Sequence, residues 1–145
     1  FIYVFVNTIE KEDLKNIVCG VCSDTGNFYI VKARDKNAID SVLEEKQVPD
    51  VLKQLDLSVL HKIIITDYLQ INEEDQMKQN GIKYIKKEEE AFNALDNKEA
   101  GVIFVMATPS IKIIKDVSEA GYRMPQKSTY FYPKLISGLV INPLQ

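Results

Sequence analysis

Apolar positions along the chain follow the two-residue period of strands in some stretches and the longer period of helices in others. Short aromatic and β-branched runs at residues 1–6, 17–22 and 28–33 predict strands. Residues 23–27, Ser-Asp-Thr-Gly-Asn, lie between the last two runs, and these residue types favour turns. The pattern therefore predicts an N-terminal β-hairpin.

Residues 37–46 have helical spacing and predict a short amphipathic helix. The polar residues 72–79 predict a short exposed helix, and residues 88–95 predict a helix whose first turn is acidic. Asp56 is the predicted N-cap of a further, strongly apolar helix. Its apolar stripe contains Leu57, Leu60, Ile64 and Tyr68. A helix this apolar is expected to pack on more than one side.

The second half of the chain alternates between strand and helix patterns. Residues 82–85 alternate like a strand, and the continuous apolar run 101–106 predicts a strand covered on both faces. Thr108 is the predicted N-cap of the next helix, with Pro109 at its first position and Gly121 just past its end. Two final strands are predicted at 128–132 and 137–141.

These elements predict one α+β domain spanning residues 1–145, with a mixed β-sheet covered by helices mainly on one side. The N-terminal β-hairpin region and the helices after it can form a subdomain over residues 1–70. No Gly- or Ser-rich linker marks a boundary.

Composition narrows the class of protein. The chain of 145 residues is 46% hydrophobic and 27% charged, as in soluble globular domains that need neither disulfide nor metal to fold. A net charge of −3 argues against nucleic acid as a partner, and no apolar run approaches the ~20 residues that span a membrane. Two cysteines and no secretion signal lead us to expect a cytoplasmic location. Since the chain begins with Phe1 rather than Met, we expect a piece of a longer protein.

The densest concentration of hydroxyls, aromatic rings and positive charge lies at residues 124–134. Three of the 18 basic residues lie in residues 120–145, which contain no acid, so the rest of the chain has 15 basic and 21 acidic residues. Hydroxyls and cations can together bind an anion. The candidate ligand-binding residues are Arg123, Lys127, Ser128, Thr129, Tyr130, Tyr132 and Lys134. The alternative, a packing strand whose tyrosine hydroxyls lie at the rim, stays open.

Four other features carry weaker signals. Cys19 and Cys22 have the CxxC spacing, but they lie on a predicted strand where they face opposite ways, which favours two buried cysteines over a redox pair or a metal site.

Asp24 begins an Asp-Thr-Gly sequence like that of aspartic proteases, which we interpret as the hairpin turn. His61, the single histidine, lies on an apolar helix face and is either a core residue or a possible functional residue. The acidic runs predict solvated helix faces, and we predict no metal site.

Two stretches resemble a known family. Leu55-Asp56-Leu57-Ser58-Val59-Leu60-His61 and Met124-Pro125-Gln126-Lys127-Ser128-Thr129-Tyr130-Phe131-Tyr132-Pro133-Lys134-Leu135 resemble the domain of unknown function family 1015. The similarity covers about residues 17–144.

The resemblance implies a longer bacterial or archaeal cytoplasmic protein, of which this chain is the C-terminal part. In that family the N-terminal half carries an Asp-Gly-His-His-Arg motif, similar to motifs of ParB-like nucleotide-dependent proteins. The motif is absent from this chain. The resemblance therefore implies no cofactor in this fragment, although the full-length protein is expected to use a nucleotide.

Two functions of different classes follow. The first is a binding or regulatory module that completes or docks on its own nucleotide-using N-terminal half, with residues 127–134 contacting a small phosphate-bearing ligand. The alternative is a stand-alone enzyme of phosphoryl-transfer or hydrolytic type. The sequence shows no nucleophile–histidine–acid arrangement and no phosphate-binding glycine loop, so we expect no activity in this fragment alone. A homo-oligomer is compatible with either function.

Overall fold

The described sheet has three strands and both of its pairings are antiparallel. A computed structural model describes residues 17–125 and 127–129 of the chain. Strands β1 (Ile17–Ser23), β2 (Phe28–Lys32) and β3 (Val102–Val105) lie in the order β2-β1-β3. The predicted α+β class is confirmed, while the described strands give an antiparallel rather than a mixed sheet.

The turn between β1 and β2 contains Asp24, Thr25 and Gly26. The Gly26 amide donates to the Ser23 carbonyl over 3.0 Å, and Gly26 has a φ of +80°, which glycine adopts without strain. The Asp24 amide donates to the carbonyl of Gly101 over 3.1 Å, which ties the turn to the start of β3. The Asp-Thr-Gly sequence is thus a hairpin turn, as predicted.

Helices make up most of the remaining described chain. They are α1 (Lys36–Glu45), α2 (Asp50–Lys53), α3 (Asp56–Val59) running directly into a π-helix (Leu60–Tyr68), α4 (Glu73–Lys78), α5 (Glu88–Asp96) and α6 (Ile111–Glu119). The five predicted helices are present at nearly the predicted positions. Within the described ranges, none of the helices is both long and apolar enough to cross a bilayer.

Two predicted N-caps are wrong. Leu55 holds the N-cap position before α3, with no side-chain hydrogen bond, and Asp56 is the first helical residue. Ser110 caps α6 by accepting from the Ile113 amide over 3.3 Å, so the helix begins beyond Thr108. Capping depends on where the chain turns into the helix, and several polar residues near a helix start can satisfy that role.

The sheet is covered on both faces, so the expectation of helices mainly on one side is wrong. Phe92 and Leu95 of α5 pack against Cys22 on one face. Leu60 and Ile65 of the π-helix pack with Val18 and Cys19 on the other. The chain therefore passes from one face of the sheet to the other between the π-helix and α5.

Cys19 and Cys22 are fully buried free thiols in these two separate clusters. Burial raises the pKa of Cys19 to about 12, with Asp56 contributing, and burial raises the pKa of Cys22 to about 11. Both thiols therefore stay protonated and unreactive at neutral pH, which confirms the prediction of two structural cysteines.

Several predicted strands differ from the structure or lie outside the described residues. Residues 82–85 pair with no strand of the described sheet. Lys127 has a left-handed φ of +62° and Ser128 donates from its amide to the carbonyl of Pro125 over 3.3 Å, so the chain turns here. The predicted strands at 1–6 and 137–141, and residues 130–132, lie outside the described residues.

Replacing Gly121 with Val is expected to destabilise the protein. Gly121 has a φ of +76°, and its amide and that of Tyr122 donate to the carbonyls of Ser118 and Val117, which closes the end of α6. A β-branched residue at this φ costs about 1–2 kcal/mol, and denaturant unfolding measures the loss. Gly101→Val is the matched control, since Gly101 lacks a positive φ and an added Cβ meets nothing within 4 Å. Equal stabilities of the two variants would contradict the role of Gly121.

Candidate functional site

His61 and Gln76 form the centre of a polar network between the π-helix and α4. His61 Nδ1 lies 2.7 Å from Gln76 Oε1. The Gln76 amide nitrogen donates to the Thr66 hydroxyl over 3.0 Å and to the Ile71 carbonyl over 2.9 Å. Because this nitrogen has two acceptors, the amide oxygen is the atom that faces His61. His61 Nδ1 must therefore carry the hydrogen and donate it.

The π-helix closes this network. The Thr66 hydroxyl donates to the carbonyl of His61, five residues earlier, over 2.7 Å. A separation of five residues is the spacing of π-helical hydrogen bonds, and π-helical turns are frequent at functional sites. His61, Thr66 and Gln76 are thus linked in a ring of hydrogen bonds that fixes the imidazole orientation.

The second ring nitrogen of His61 is left open. Nε2 has no hydrogen-bond partner among the described residues. Because every buried side-chain nitrogen or oxygen of those residues has a hydrogen-bond partner, Nε2 is not buried and reaches solvent. The His61 and Tyr84 rings lie parallel, with centroids 5.9 Å apart and planes 7° apart. Burial lowers the pKa of His61 and the Lys62 charge adds to this, against the Gln76 hydrogen bond and Glu73. The ring is therefore neutral at neutral pH, with a lone pair on Nε2.

His61 and Arg123 line the same cavity of about 360 Å³, which we call the His61 cavity. Its other walls are mainly apolar and come from residues that include Val48, Pro49, Leu52, Leu57, Met77 and Pro125. Lys46 and Lys62 also line it.

The two lysines of the His61 cavity are paired with acids. Lys46 pairs with Asp67 at 2.7 Å and Lys62 pairs with Glu73. Arg123 is exposed and has no acidic partner within the described part of the chain. The unbalanced charge of this cavity is therefore the Arg123 guanidinium.

The other predicted binding residues lie elsewhere. Lys127, Ser128 and Thr129 line a larger, open cleft of about 2400 Å³ that runs along β3 and residues 81–88. The Ser128 hydroxyl donates to the Pro125 carbonyl over 2.6 Å, so its hydrogen is used locally. Tyr130, Tyr132 and Lys134 lie outside the described residues. The structure thus brings His61 and Arg123 together and places Lys127 to Thr129 in the adjoining cleft.

The large cleft and the His61 cavity share a wall made by Leu57, His61 and Tyr84. Asp56 also lines the large cleft, and burial raises the pKa of its carboxyl to about 6 although Lys36 opposes the shift. The carboxyl has no hydrogen bond or ion pair to any described residue. An unpaired, partly buried carboxyl in a cleft is typical of functional sites.

Sequence reasoning missed Gln76 and Tyr84 as site residues. Gln76 lies in a polar segment that predicts an exposed helix, yet it is only 7% exposed. Tyr84 lies in a segment predicted as a strand. No local signal marks either residue, because each takes its role from contact with the π-helix.

Neither a metal site nor a relative identifies the function. Among the described residues, no group of three or more His, Cys, Asp or Glu side chains is placed to hold a metal ion. Comparison of the chain with protein-family models, curated proteins and solved structures finds no match.

Proposed function

We propose that this domain is a binding module for a small anionic ligand, which occupies the His61 cavity. The observation that carries the proposal is that His61, with its open Nε2, and Arg123, which has no acidic partner among the described residues, line one largely apolar cavity. Apolar walls with a few convergent polar groups are the usual composition of small-molecule sites.

The chemistry of the walls defines the ligand. A guanidinium binds carboxylate or phosphate with two parallel hydrogen bonds, so the ligand carries such a group. Val48, Leu52 and Leu57 offer apolar surface to a short organic body. The volume of about 360 Å³ lies at the lower end of ligand pockets, which favours a compact ligand over a whole nucleotide.

The proposal extends to the wider protein. The domain completes or docks on a nucleotide-using N-terminal half of a longer cytoplasmic protein, as the resemblance of residues 55–61 and 124–135 to the domain of unknown function family 1015 suggests. Lys127, Ser128 and Thr129, in the adjoining cleft, then contact phosphate of the ligand or of the nucleotide. A stand-alone phosphoryl-transfer or hydrolytic enzyme is less supported, since within the described ranges the hydroxyl bonded to His61 is that of Thr66, which donates to the backbone carbonyl of His61.

Replacing Arg123 with Gln is expected to weaken binding of phenylphosphonate about tenfold, because it removes the cation of the cavity that has no acidic partner in the described part of the chain. Phenylphosphonate is a suitable probe because it joins a compact apolar ring to an anionic group. Calorimetric titration gives the dissociation constant, and thermal unfolding shows whether the fold is kept.

The matched control is Lys112→Gln, since Lys112 is exposed on α6 and lines neither cavity. Lys127→Gln adds a second comparison, and a loss of affinity in it would place phosphate contacts in the large cleft as well. Unchanged affinity in Arg123→Gln, or no binding to the wild-type protein, would contradict the proposed function.

A further inference from the structure

We infer that His61 Nε2 accepts a hydrogen bond from the ligand, so that the site selects anions that still carry an acidic O–H, such as a phosphonate or phosphate monoanion, over fully deprotonated anions. This inference rests on the proposed function and names the class of anion that the His61 cavity takes. It adds a specificity-determining role for His61 to the charge supplied by Arg123.

Gln76 determines the tautomer of His61. Gln76 cannot turn its amide over, because its nitrogen is held by both the Thr66 hydroxyl and the Ile71 carbonyl. Its oxygen therefore stays opposite His61 Nδ1 at 2.7 Å and requires a hydrogen on that nitrogen. A neutral imidazole carries one N–H, so Nε2 is an acceptor.

The surroundings keep the ring neutral. The charged groups near His61 are Lys62 and Glu73, which pair with each other. Arg123 and Lys46 line the same cavity, and Asp67 lies beside it. Lys46 pairs with Asp67, and Arg123 has no acidic partner among the residues that the structure describes. Burial has the largest influence on the pKa of His61 and lowers it, and the positive charge of Lys62 acts in the same direction.

The selectivity for the ligand depends on which ligand atom faces the lone pair of His61 Nε2. The O–H of a phosphonate monoanion can donate to Nε2 while its remaining oxygens bind Arg123. Every oxygen of a sulfonate is an acceptor, so a sulfonate in the same place sets its lone pairs against that of Nε2. Sites that hydrogen-bond a ligand O–H discriminate strongly against analogues that lack it, because a desolvated polar group is left unpaired.

The test compares phenylphosphonate with benzenesulfonate at slightly acidic pH, where both are monoanions of similar shape and only the phosphonate keeps an acidic O–H. Titration of the wild-type protein is expected to show phenylphosphonate binding at least about tenfold more tightly. In His61→Asn the preference should fall to near parity, through loss of phenylphosphonate affinity. The shorter Asn amide can still donate to Gln76 but offers no acceptor at the Nε2 position.

A second readout comes from the single histidine of the chain. Its two ring ¹⁵N signals in nuclear magnetic resonance report directly on which nitrogen is protonated. Nε2 should give the signal of an unprotonated nitrogen, and that signal should shift with phenylphosphonate and far less with benzenesulfonate. This measurement uses the wild-type protein, so it decides the question even where His61→Asn does not fold.

The outcomes separate the two proposals. Equal affinities for the two anions, a tighter sulfonate, or a preference that persists in folded His61→Asn would overturn the role of Nε2 and leave anion binding in place. A protonated Nε2 in the wild-type protein would overturn it too. Binding of neither anion would remove the proposed function and this inference together.

Discussion

Replacing Gln76 with Met should lower the free energy of unfolding by about 2–3 kcal/mol, although the two side chains are similar in length. Gln76 makes three hydrogen bonds, to His61, Thr66 and the Ile71 carbonyl, and it is 7% exposed. Met keeps the packing but leaves the His61 Nδ1–H and the Ile71 carbonyl without a partner. Buried polar groups without partners keep their desolvation cost, which sets the size of the effect.

Urea unfolding followed by circular dichroism measures this loss. Gln54→Met is the matched control, since Gln54 is exposed at the end of α2 and the same substitution there should change stability by less than about 0.5 kcal/mol. The pKa of His61 should also fall further in Gln76→Met, because the bond to Gln76 raises it in the native protein. Equal stabilities of the two variants would show that the network does not hold α4 against the π-helix.

Replacing Asp56 with Asn should stabilise the protein at about pH 8 and have little effect at about pH 4. Burial raises the pKa of the folded carboxyl to about 6 from an ordinary 3.8. As the pH rises from about 4 to 6, the unfolded chain loses this proton while the folded protein keeps it, so stability falls across that window. Above this pH window the charged carboxylate stays partly buried, so the folded protein carries the full desolvation cost of the charge. Asn removes that cost because it cannot ionise.

The size of the Asp56 effect follows from the two pKa values. A rise from 3.8 to about 6 corresponds to about 3 kcal/mol, and the remaining solvent access of the carboxyl reduces this to about 1–2 kcal/mol. Unfolding curves of Asp56→Asn and the wild-type protein across the pH range measure it. Asp96→Asn, at the exposed end of α5, is the control. A stability difference that does not vary with pH would mean that the Asp56 carboxyl titrates normally.

These two residues show how stability and the candidate site are connected. Gln76 both holds α4 in place and sets the tautomer of His61, so a stable fold and a defined acceptor arise from the same contacts. Asp56 lies near Cys19 and lines the large cleft, and its carboxylate, which has no ion pair with any described residue, weakens the fold. Proteins retain such unfavourable groups mostly where they bind or react, which makes Asp56 the residue of the cleft to test next with ligands.

Local sequence pattern was sufficient for much of the secondary structure. The hairpin around Gly26, the strand at β3 and the helices α1, α5 and α6 all follow from apolar period and turn residues, which act between residues close in the chain. The opposite orientation of Cys19 and Cys22 follows from strand geometry in the same way. His61 and Arg123 were also marked in advance, each by its own residue type and neighbours.

Only the tertiary structure decided what those elements do together. The pattern cannot tell that Gln76 is buried, that residues 82–85 pair with none of the described strands, or that Arg123 and His61 line one cavity. These features depend on which distant segments meet, and that choice is set by the packing of both sheet faces rather than by local preference. The π-helical turn has the same origin, since hydrogen bonds from Thr66 and Gln76 hold a backbone geometry that local preference alone rarely selects.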